Sequence, residues 1–338
     1  MLWRSFSFAR QPLWAALLLA GAGCAGNAAP AAPSPATLLQ ADATPSALAP
    51  AIVVGNYSGA NILKFALDAK GNVSPTAVIS GPRTGIEHAD NVALDTSFRT
   101  YASINGKTIA AYSADAHGNA KPVRTIAGGN TQLAFPIGVA VDSAGYLYVA
   151  DCGYGNVKVY APGANGNVSP IRVIGLTSGC TIQLAVDKTD QLYVTSGDNL
   201  ISEFSSESNG NALLRTISEG KGSGGIGIRS IAVDGRGYVY AGNLLAKDIR
   251  VFAPHAQGFA KPMRTIGGSN THLGAATGLA LDASNNLYAT ICRHCSQGSG
   301  TDSILVFGPG AKGNVKPDRV IEGKNTMLSS PTDLVVRQ

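Results

Sequence analysis

Charged residues are scarce in this 338-residue chain, where Asp, Glu, Lys and Arg together make up only 14% of the residues. The formal net charge is +5, and removing the two arginines of the predicted leader, Arg4 and Arg10, leaves +3. The remaining basic residues are scattered, whereas binding to nucleic acid requires a clustered basic face. We therefore expect no nucleic-acid partner.

Long apolar runs and helical periodicity are also lacking. The apolar stretch at 13–22 is too short to span a bilayer as a permanent helix. No segment after the leader shows a sustained helical period. These absences point to a chain built mainly from strands.

A short sequence motif built on glycine and asparagine occurs six times. Its complete copies lie at 71–75, 118–122, 166–170 and 313–317, and partial copies lie at 210–211 and 258–262. The glycines are 47, 48, 44, 48 and 55 residues apart. A repeat of about 40–50 residues is typical of a propeller or a solenoid.

Each repeat contains four short apolar runs bounded by turn residues. In the third copy they lie at 136–142, 147–150, 157–160 and 171–174, and they are rich in β-branched and aromatic side chains. This pattern indicates strands. Four antiparallel strands arranged radially form a propeller blade, so the sequence predicts an all-β, six-bladed β-propeller of four-stranded antiparallel blades.

The repeats begin out of phase with the blades. The run 52–54 has the character of a second strand, but no first strand precedes it. The missing strand is found at the other end of the chain, at 332–336. We therefore predict a propeller domain at 51–338, with its ring closed by the C-terminal strand so that exposed strand edges are removed.

The Asp that ends each first strand and the recurring Gly-Asn pair are predicted to serve turn formation. An Asp or Asn side chain at a turn bonds to the backbone two residues further on, and Gly accepts positive φ. Because these residues recur in nearly every repeat, we expect function to depend on positions where the blades differ.

The pattern Pro136-x-Gly138-x-Ala140-x-Asp142, followed by Leu147–Asp151 and a third strand ending in an aromatic residue, resembles the NHL-repeat family and its bacterial six-bladed relatives. The resemblance covers 51–338. It implies the propeller fold but no single function, because such propellers include hydrolases, lyases and plain binding modules.

The N-terminal segment has the form of an export signal. Residues 1–23 combine a basic start, an apolar middle and small residues at the end, which predicts a signal peptide. The sequence before Cys24 resembles a bacterial lipobox, although Gly21 stands where an aliphatic residue is usual. This resemblance implies lipidation of Cys24, and the alternative is ordinary cleavage at 25–29.

Residues 24–50 are dominated by Ala, Pro, Ser and Thr and are predicted to form a disordered tether. We expect an exported protein of the cell envelope, either an outer-membrane lipoprotein or a protein of the periplasm or cell surface. Its membrane contact would come only through the lipid anchor.

Four further cysteines are expected to be oxidised in an exported protein. The loop after the second strand of blade 3 and the link into blade 4 are neighbours in a propeller, which favours a disulfide between Cys152 and Cys180. Cys292 and Cys295 allow three interpretations: a local disulfide, part of a metal site, or a redox dithiol. We favour the Cys292–Cys295 disulfide.

The same loop of blade 6 carries an insertion of seven residues relative to blade 3. An insertion confined to one loop is where a scaffold acquires a specific surface. The predicted ligand-binding residues come from this loop and from others on the same face: Glu87, His88, Asp151, Asn243, His272, Arg293 and His294.

Zinc and calcium are the ions that these loops would take, although the sequence demands no cofactor. His88, His272 and His294 form a candidate zinc set, as in peptidyl-amidoglycolate lyases on a similar scaffold. Gluconolactonase-like propellers hold calcium with an acidic residue and asparagines. Glu87, Asp90, Asp151, Asp198 and Asn243 lie on loops of the same face and are candidates for such a role, although their spacing matches no known motif.

No catalytic motif is present, since the sequence has no Gly-x-Ser-x-Gly elbow and no phosphate loop in its required context. We therefore expect a monomeric binding or scaffold protein, more readily than an enzyme, with a protein or small-molecule partner on the loop face. The alternatives are a metal-assisted lactonase, lyase or hydrolase and a purely structural envelope protein.

Overall fold

The computed structural model describes residues 48–176, 179–197, 199–205, 207, 213–218, 227–293, 295 and 301–338. The predicted signal peptide, the lipidation site Cys24 and most of the tether lie outside these residues. Asp198, the turn at 210–211 and His294 also lie outside them. Among the described residues, no helix combines the length and apolar character needed to cross a bilayer.

The described strands form six four-stranded antiparallel sheets, and each sheet is one blade. From the innermost strand outward, blade 1 contains β24 (Pro331–Arg337), β1 (Ala51–Asn56), β2 (Asn61–Ala66) and β3 (Ala77–Ile79). Blade 2 contains β4 (Ala89–Leu94), β5 (Thr100–Ile104), β6 (Thr108–Tyr112) and β7 (Arg124–Ile126). Blade 3 contains β8 (Pro136–Val141), β9 (Leu147–Asp151), β10 (Asn156–Tyr160) and β11 (Arg172–Gly175).

The second half of the ring repeats this arrangement. Blade 4 contains β12 (Thr181–Val186), β13 (Leu192–Ser196), β14 (Leu200–Phe204) and β15 (Leu213–Ser218). Blade 5 contains β16 (Ile228–Val233), β17 (Val239–Asn243), β18 (Asp248–Phe252) and β19 (Arg264–Gly267). Blade 6 contains β20 (Ala276–Leu281), β21 (Leu287–Ile291), β22 (Ser303–Phe307) and β23 (Arg319–Glu322). Three links between blades contain short 3₁₀ helices, at Gly129–Thr131, Ser269–Thr271 and Lys324–Thr326.

The C-terminal strand closes the ring, as the sequence predicted. β24 pairs antiparallel with β1, and Val335 lies opposite Val53 in the register. Its other neighbours are the inner strands of blades 6 and 2, β20 and β4. The first and last strands of the domain therefore share one sheet, which leaves no blade without an inner strand.

The apolar core is a ring of clusters, one between each pair of neighbouring blades. In the cluster between blades 2 and 3, Tyr101 and Ile109 pack with Val149 and Tyr160. Tyr160 is fully buried and donates its hydroxyl to the carbonyl of Thr131 at 2.6 Å. Tyr160 thus stabilises both a cluster and a link, and Tyr112 does the same in blade 2 by donating to the carbonyl of Thr84 at 2.8 Å.

The recurring Gly-Asn pair joins neighbouring blades, which goes beyond the predicted turn role. Gly166 has a φ of 81°, and its N–H donates to the carbonyl of Thr125 in blade 2 at 2.6 Å. The side-chain oxygen of Asn167 accepts the N–H of Asn130 in the link at 2.8 Å. Bridges of the same kind connect blades at Gly71, Gly118, Gly258 and Gly313.

The repeated Asp does have the predicted turn role. Asp95, for example, accepts the backbone N–H of Ser97, two residues on, at 2.9 Å. Asp187, Asp234 and Asp282 accept the equivalent N–H in blades 4, 5 and 6.

Candidate functional site

We use the name top face for the side of the ring that carries the blade-to-blade links and the turns between second and third strands. Among the predicted ligand residues, His88 and Glu87 lie on the link into blade 2, and both are exposed. Their N–H groups donate to the side-chain oxygen of Asn105 at 3.0 and 2.9 Å. The His88 ring stacks on Tyr57 of blade 1, with 4.4 Å between ring centroids. Both side chains are therefore available at the surface.

Asp151, another of the predicted ligand-binding residues, lies at the end of β9. Its side chain is fully buried and forms an ion pair with Lys158, with 2.7 Å between Oδ2 and Nζ. It also accepts the backbone N–H groups of Ala134 and Phe135, both at 2.8 Å, and that of Gly153 at 3.1 Å. Its oxygens are thus used to hold the link into blade 3, in contrast to the predicted ligand role.

Asn243 also binds the backbone of its own loop. It is buried, and its side-chain oxygen accepts the N–H groups of Leu245 and Ala246 at 3.1 and 2.9 Å. The positions of Asn56, Asp151 and Asn243 in their blades correspond, and the side-chain oxygen of Asn56 likewise accepts a backbone N–H, that of Ser329 at 2.7 Å. This polar residue at the top of a blade therefore holds the loops around it. The sequence alone could not distinguish a side chain that binds the backbone of its own loops from one that binds a ligand.

Arg293 and His272 are brought together by the insertion in blade 6. The guanidinium of Arg293 donates to the carbonyl of His272 at 2.8 Å, and its backbone N–H donates to Asp302 at 2.7 Å. Asp302 in turn accepts the N–H of Ser330, on the link into blade 1, at 2.6 Å. The described part of the insertion is therefore tied to both links that flank blade 6.

The two predicted cysteine pairs are bonded in the structure, Cys152 to Cys180 and Cys292 to Cys295. The first joins blade 3 to the link into blade 4, and the second lies within the insertion. The paired state removes both sets of thiols as metal ligands. Among the described residues, no group of three or more His, Cys, Asp and Glu side chains is arranged to hold a metal ion. The proposed zinc set includes His294, which lies outside those residues.

Replacing Cys152 and Cys180 together by serine should lower the free energy of unfolding by about 3.6 kcal/mol, because their 28-residue separation closes a long loop in the unfolded chain. The matched change of Cys292 and Cys295, which are 3 residues apart, should cost only about 1.9 kcal/mol. Denaturant unfolding of both double variants measures the difference. Equal losses would contradict the loop-entropy account.

Two opposite charges lie at the mouth of the central channel, and sequence analysis missed one of them. Asp90 and Arg229 occupy equivalent positions at the start of β4 and β16, in blades 2 and 5 on opposite sides of the ring. The other four blades have Ile137, Ile182, Thr277 and Thr332 there. Neither charged group forms a hydrogen bond through its side chain to another described residue.

Partial burial changes the pKa values of both Asp90 and Arg229. Burial raises the pKa of Asp90 from 3.8 to about 6, while the charges of Arg229 and His88 act to lower it. Burial likewise lowers the pKa of Arg229, which the charge of Asp90 counteracts. A ligand carrying both a donor and an acceptor would satisfy the two groups.

A buried polar network closes the channel next to these charges. Gln183 of blade 4 donates to the Oδ1 atom of Asp333 in blade 1 at 2.7 Å, and Asn91 of blade 2 donates to Gln183. The N–H of Val92 donates to the Oδ2 atom of Asp333 at 3.1 Å. The network thereby crosses the ring between opposite blades.

The channel beyond the network is a cavity of about 250 Å³ lined by the inner strands of all six blades, whose side chains there are mostly aliphatic. Gln183 and Asp333 are the only polar residues among those that line it in the described part of the chain. Along the inner strands the network residues lie between the charged pair and this cavity, so a ligand on the top face meets Asp90 and Arg229 first.

Large apolar side chains are exposed around the mouth. They come from the turns of blades 1, 3 and 5 and from two links: Tyr57, Tyr154, Leu245, Phe135 and Met327. Tyr154 is 64% exposed and Phe135 is 50% exposed. Exposed apolar groups mark an interaction surface where they form a contiguous patch.

Comparison with known proteins identifies the fold. No protein-family model and no curated protein matches the chain. Among solved structures, a protein of unknown function from Bacteroides caccae is 13% identical, with a TM-score of 0.63, over 86% of this chain and 99% of that one. The WD40 β-propeller domain of Doa1 is 12% identical, with a TM-score of 0.54, over 81% and 80%. At these identities the likeness shows a shared propeller fold and no shared function.

Proposed function

We propose that this protein is an exported β-propeller that binds a segment of a protein partner on its top face. The exposed apolar side chains around the mouth, with Asp90 and Arg229 at its centre, carry this proposal. Apolar anchors of this kind supply most of the binding energy in protein interfaces. A partner's backbone or polar side chain would satisfy the two opposed charges.

The resemblance to NHL repeats supports the proposal, because such propellers include plain binding modules. The two disulfides are compatible with export, since disulfides persist in oxidising compartments. We further propose that the leader anchors the propeller to the envelope through lipidated Cys24, with 25–50 linking the anchor to the propeller. Intact mass of the mature protein tests this, because a diacylated cysteine adds a mass that ordinary cleavage does not.

A displayed random-peptide library, selected on the mature protein, tests the top-face surface. We expect the enriched peptides to lose affinity at least about tenfold when Phe135 and Tyr154 are both changed to serine, because truncating aromatic anchors costs roughly 2 kcal/mol or more. The measurement is fluorescence anisotropy with labelled peptides.

Val123→Ser is the matched control for this experiment. Val123 is 52% exposed, nearly the same as Phe135, but it precedes the outer strand of blade 2 at the opposite end of the blade. The control should bind like the unchanged protein. Peptides that bind all variants equally would place the binding surface elsewhere.

A further inference from the structure

On the side of the ring opposite the top face, a cleft of about 420 Å³ lies between blades 5 and 6. Ligand sites typically occupy about 300–1,000 Å³. Its lining includes Asp234, Arg236, Tyr238, Met263, Arg264 and Lys312. The proposed top-face function does not use this cleft, so the two are independent.

The cleft contains a buried carboxylate oxygen without a hydrogen bond. Asp234 is only 4% exposed, and its Oδ1 atom accepts the N–H groups of Arg236 and Tyr238 at 2.9 and 3.0 Å. Its Oδ2 atom has no hydrogen-bond partner among the described residues. The nearest cation is the Nε atom of Arg236 at 3.9 Å, on a side chain that is 72% exposed. Buried polar atoms of this kind are rare in native proteins.

The equivalent residue in blade 6, Asp282, has the hydrogen bonds that the Oδ2 atom of Asp234 lacks. The Oδ2 atom of Asp282 accepts the hydroxyl of Tyr288 at 3.2 Å and the amide of Asn286 at 2.7 Å. In blade 5 the corresponding hydroxyl, that of Tyr240, accepts a bond from Arg264 at 2.8 Å, as Tyr288 does from Arg319, but it forms no hydrogen bond to Asp234. The open lone pair is therefore a property of blade 5 rather than of the repeat.

The same cleft contains a buried donor without a partner, the Nε–H group of Arg264. The Nη2 atom of Arg264 donates to Tyr240, so the guanidinium is held in place while its Nε–H group stays open. One acceptor and one donor thus line a single cleft. An alcohol satisfies both at once, because a hydroxyl donates one hydrogen bond and accepts others.

The walls restrict which alcohol fits. Tyr238 and the exposed side chain of Met263 offer apolar surface for the C–H groups of a ring. Three cations, Arg236, Arg264 and Lys312, line the cleft against the single carboxylate of Asp234. The excess of two positive charges favours a ligand that carries an acidic group.

These features point to a sugar acid as the ligand, and we propose that the cleft between blades 5 and 6 binds a hexuronate unit. One sugar hydroxyl lies between Asp234 and Arg264, the ring packs on Tyr238 and Met263, and the carboxylate faces Arg236 and Lys312. Acidic polysaccharides and free sugar acids share this chemistry.

Isothermal titration of the mature protein with galacturonate, trigalacturonate and neutral galactose tests the proposal. We expect both acidic probes to bind and galactose to bind at least about tenfold more weakly, since it lacks the carboxylate. A preference for the trimer over the monomer identifies a polysaccharide as the source, and equal affinity identifies the free sugar acid.

Asp234→Asn is the decisive variant. It keeps the Oδ1 acceptor that the turn needs and replaces the open Oδ2 atom by a donor, so galacturonate affinity should fall at least about tenfold. Asp282→Asn is the matched control in blade 6 and should leave that affinity unchanged. Thermal unfolding of both variants verifies that they fold.

Three results would overturn the proposal: no heat of binding with either acidic probe, unchanged affinity in folded Asp234→Asn, or equal binding of galacturonate and acetate. The last would show a general attraction of anions to the cations of the cleft. None of these results bears on peptide binding at the top face.

Discussion

Removal of residues 331–338 is expected to abolish cooperative unfolding of the domain. β24 is the inner strand of blade 1, and its register with β1 runs from Ala51 opposite Arg337 to Asn56 opposite Pro331. Without it, β1 presents an unpaired edge to solvent and the clusters on both sides of blade 1 lose their inner walls. An exposed apolar edge strand also promotes aggregation. Differential scanning calorimetry should show no sharp transition.

Two controls distinguish the loss of ring closure from a nonspecific effect of shortening the chain. Deleting Gln338 alone removes one hydrogen bond, to the N–H of Ala283 at 2.6 Å, and should keep the transition. A synthetic peptide of residues 329–338, added to the truncated chain, should restore part of it by supplying the missing strand. A truncated chain that melts like the full one would show that the strand is dispensable.

Replacing Asp333 by asparagine is expected to change how stability depends on pH. Burial raises the pKa of Asp333 from 3.8 to about 7, although the hydrogen bonds from Val92 and Gln183 act to lower it. The folded protein then keeps a proton that the unfolded chain releases, so this group makes stability fall as pH rises from about 4 to about 7. Asparagine has no such proton, and the variant should lack that fall.

The size of the effect follows from the change in pKa. Between pH 4.5 and pH 8, the unchanged protein should lose roughly 2–4 kcal/mol relative to Asp333→Asn. Urea unfolding at the two pH values measures the difference. Asp68→Asn, which changes an exposed carboxylate, is the control and should follow the unchanged protein. If the free energy of unfolding changed with pH in the same way for Asp333→Asn and the unchanged protein, the raised pKa of the Asp333 carboxyl group would be contradicted.

The architecture could be predicted from the sequence because it depends on repetition. The spacing of the glycines gave the blade length, the apolar runs gave four strands in each, and the run 52–54 without a first strand indicated closure by the last strand. The pairing of Cys152 with Cys180 followed from the same assignment of loops to one face. Each of these conclusions rests on many residues.

The candidate site was harder to predict because it depends on single residues within a repeat. Asp151 and Asn243 were selected as polar residues on top loops, yet they cap the backbone of those loops. Asn91, Gln183 and Asp333 were missed, although aligning the six inner strands shows Gly138, Ser230 and Gly278 at the same position. The hydrogen bonds that cross the channel become apparent only when opposite blades are placed together.

Titration of Asp90 by carboxyl-detected NMR is the most direct test of the central claim, that the closed ring brings opposite blades together at a charged mouth on the top face. In the unchanged protein Asp90 should titrate with a pKa of about 6. In Arg229→Gln the pKa should rise further, because the charge that favours the ionised carboxylate is removed. A pKa near 3.8 that does not respond to Arg229→Gln would contradict the account.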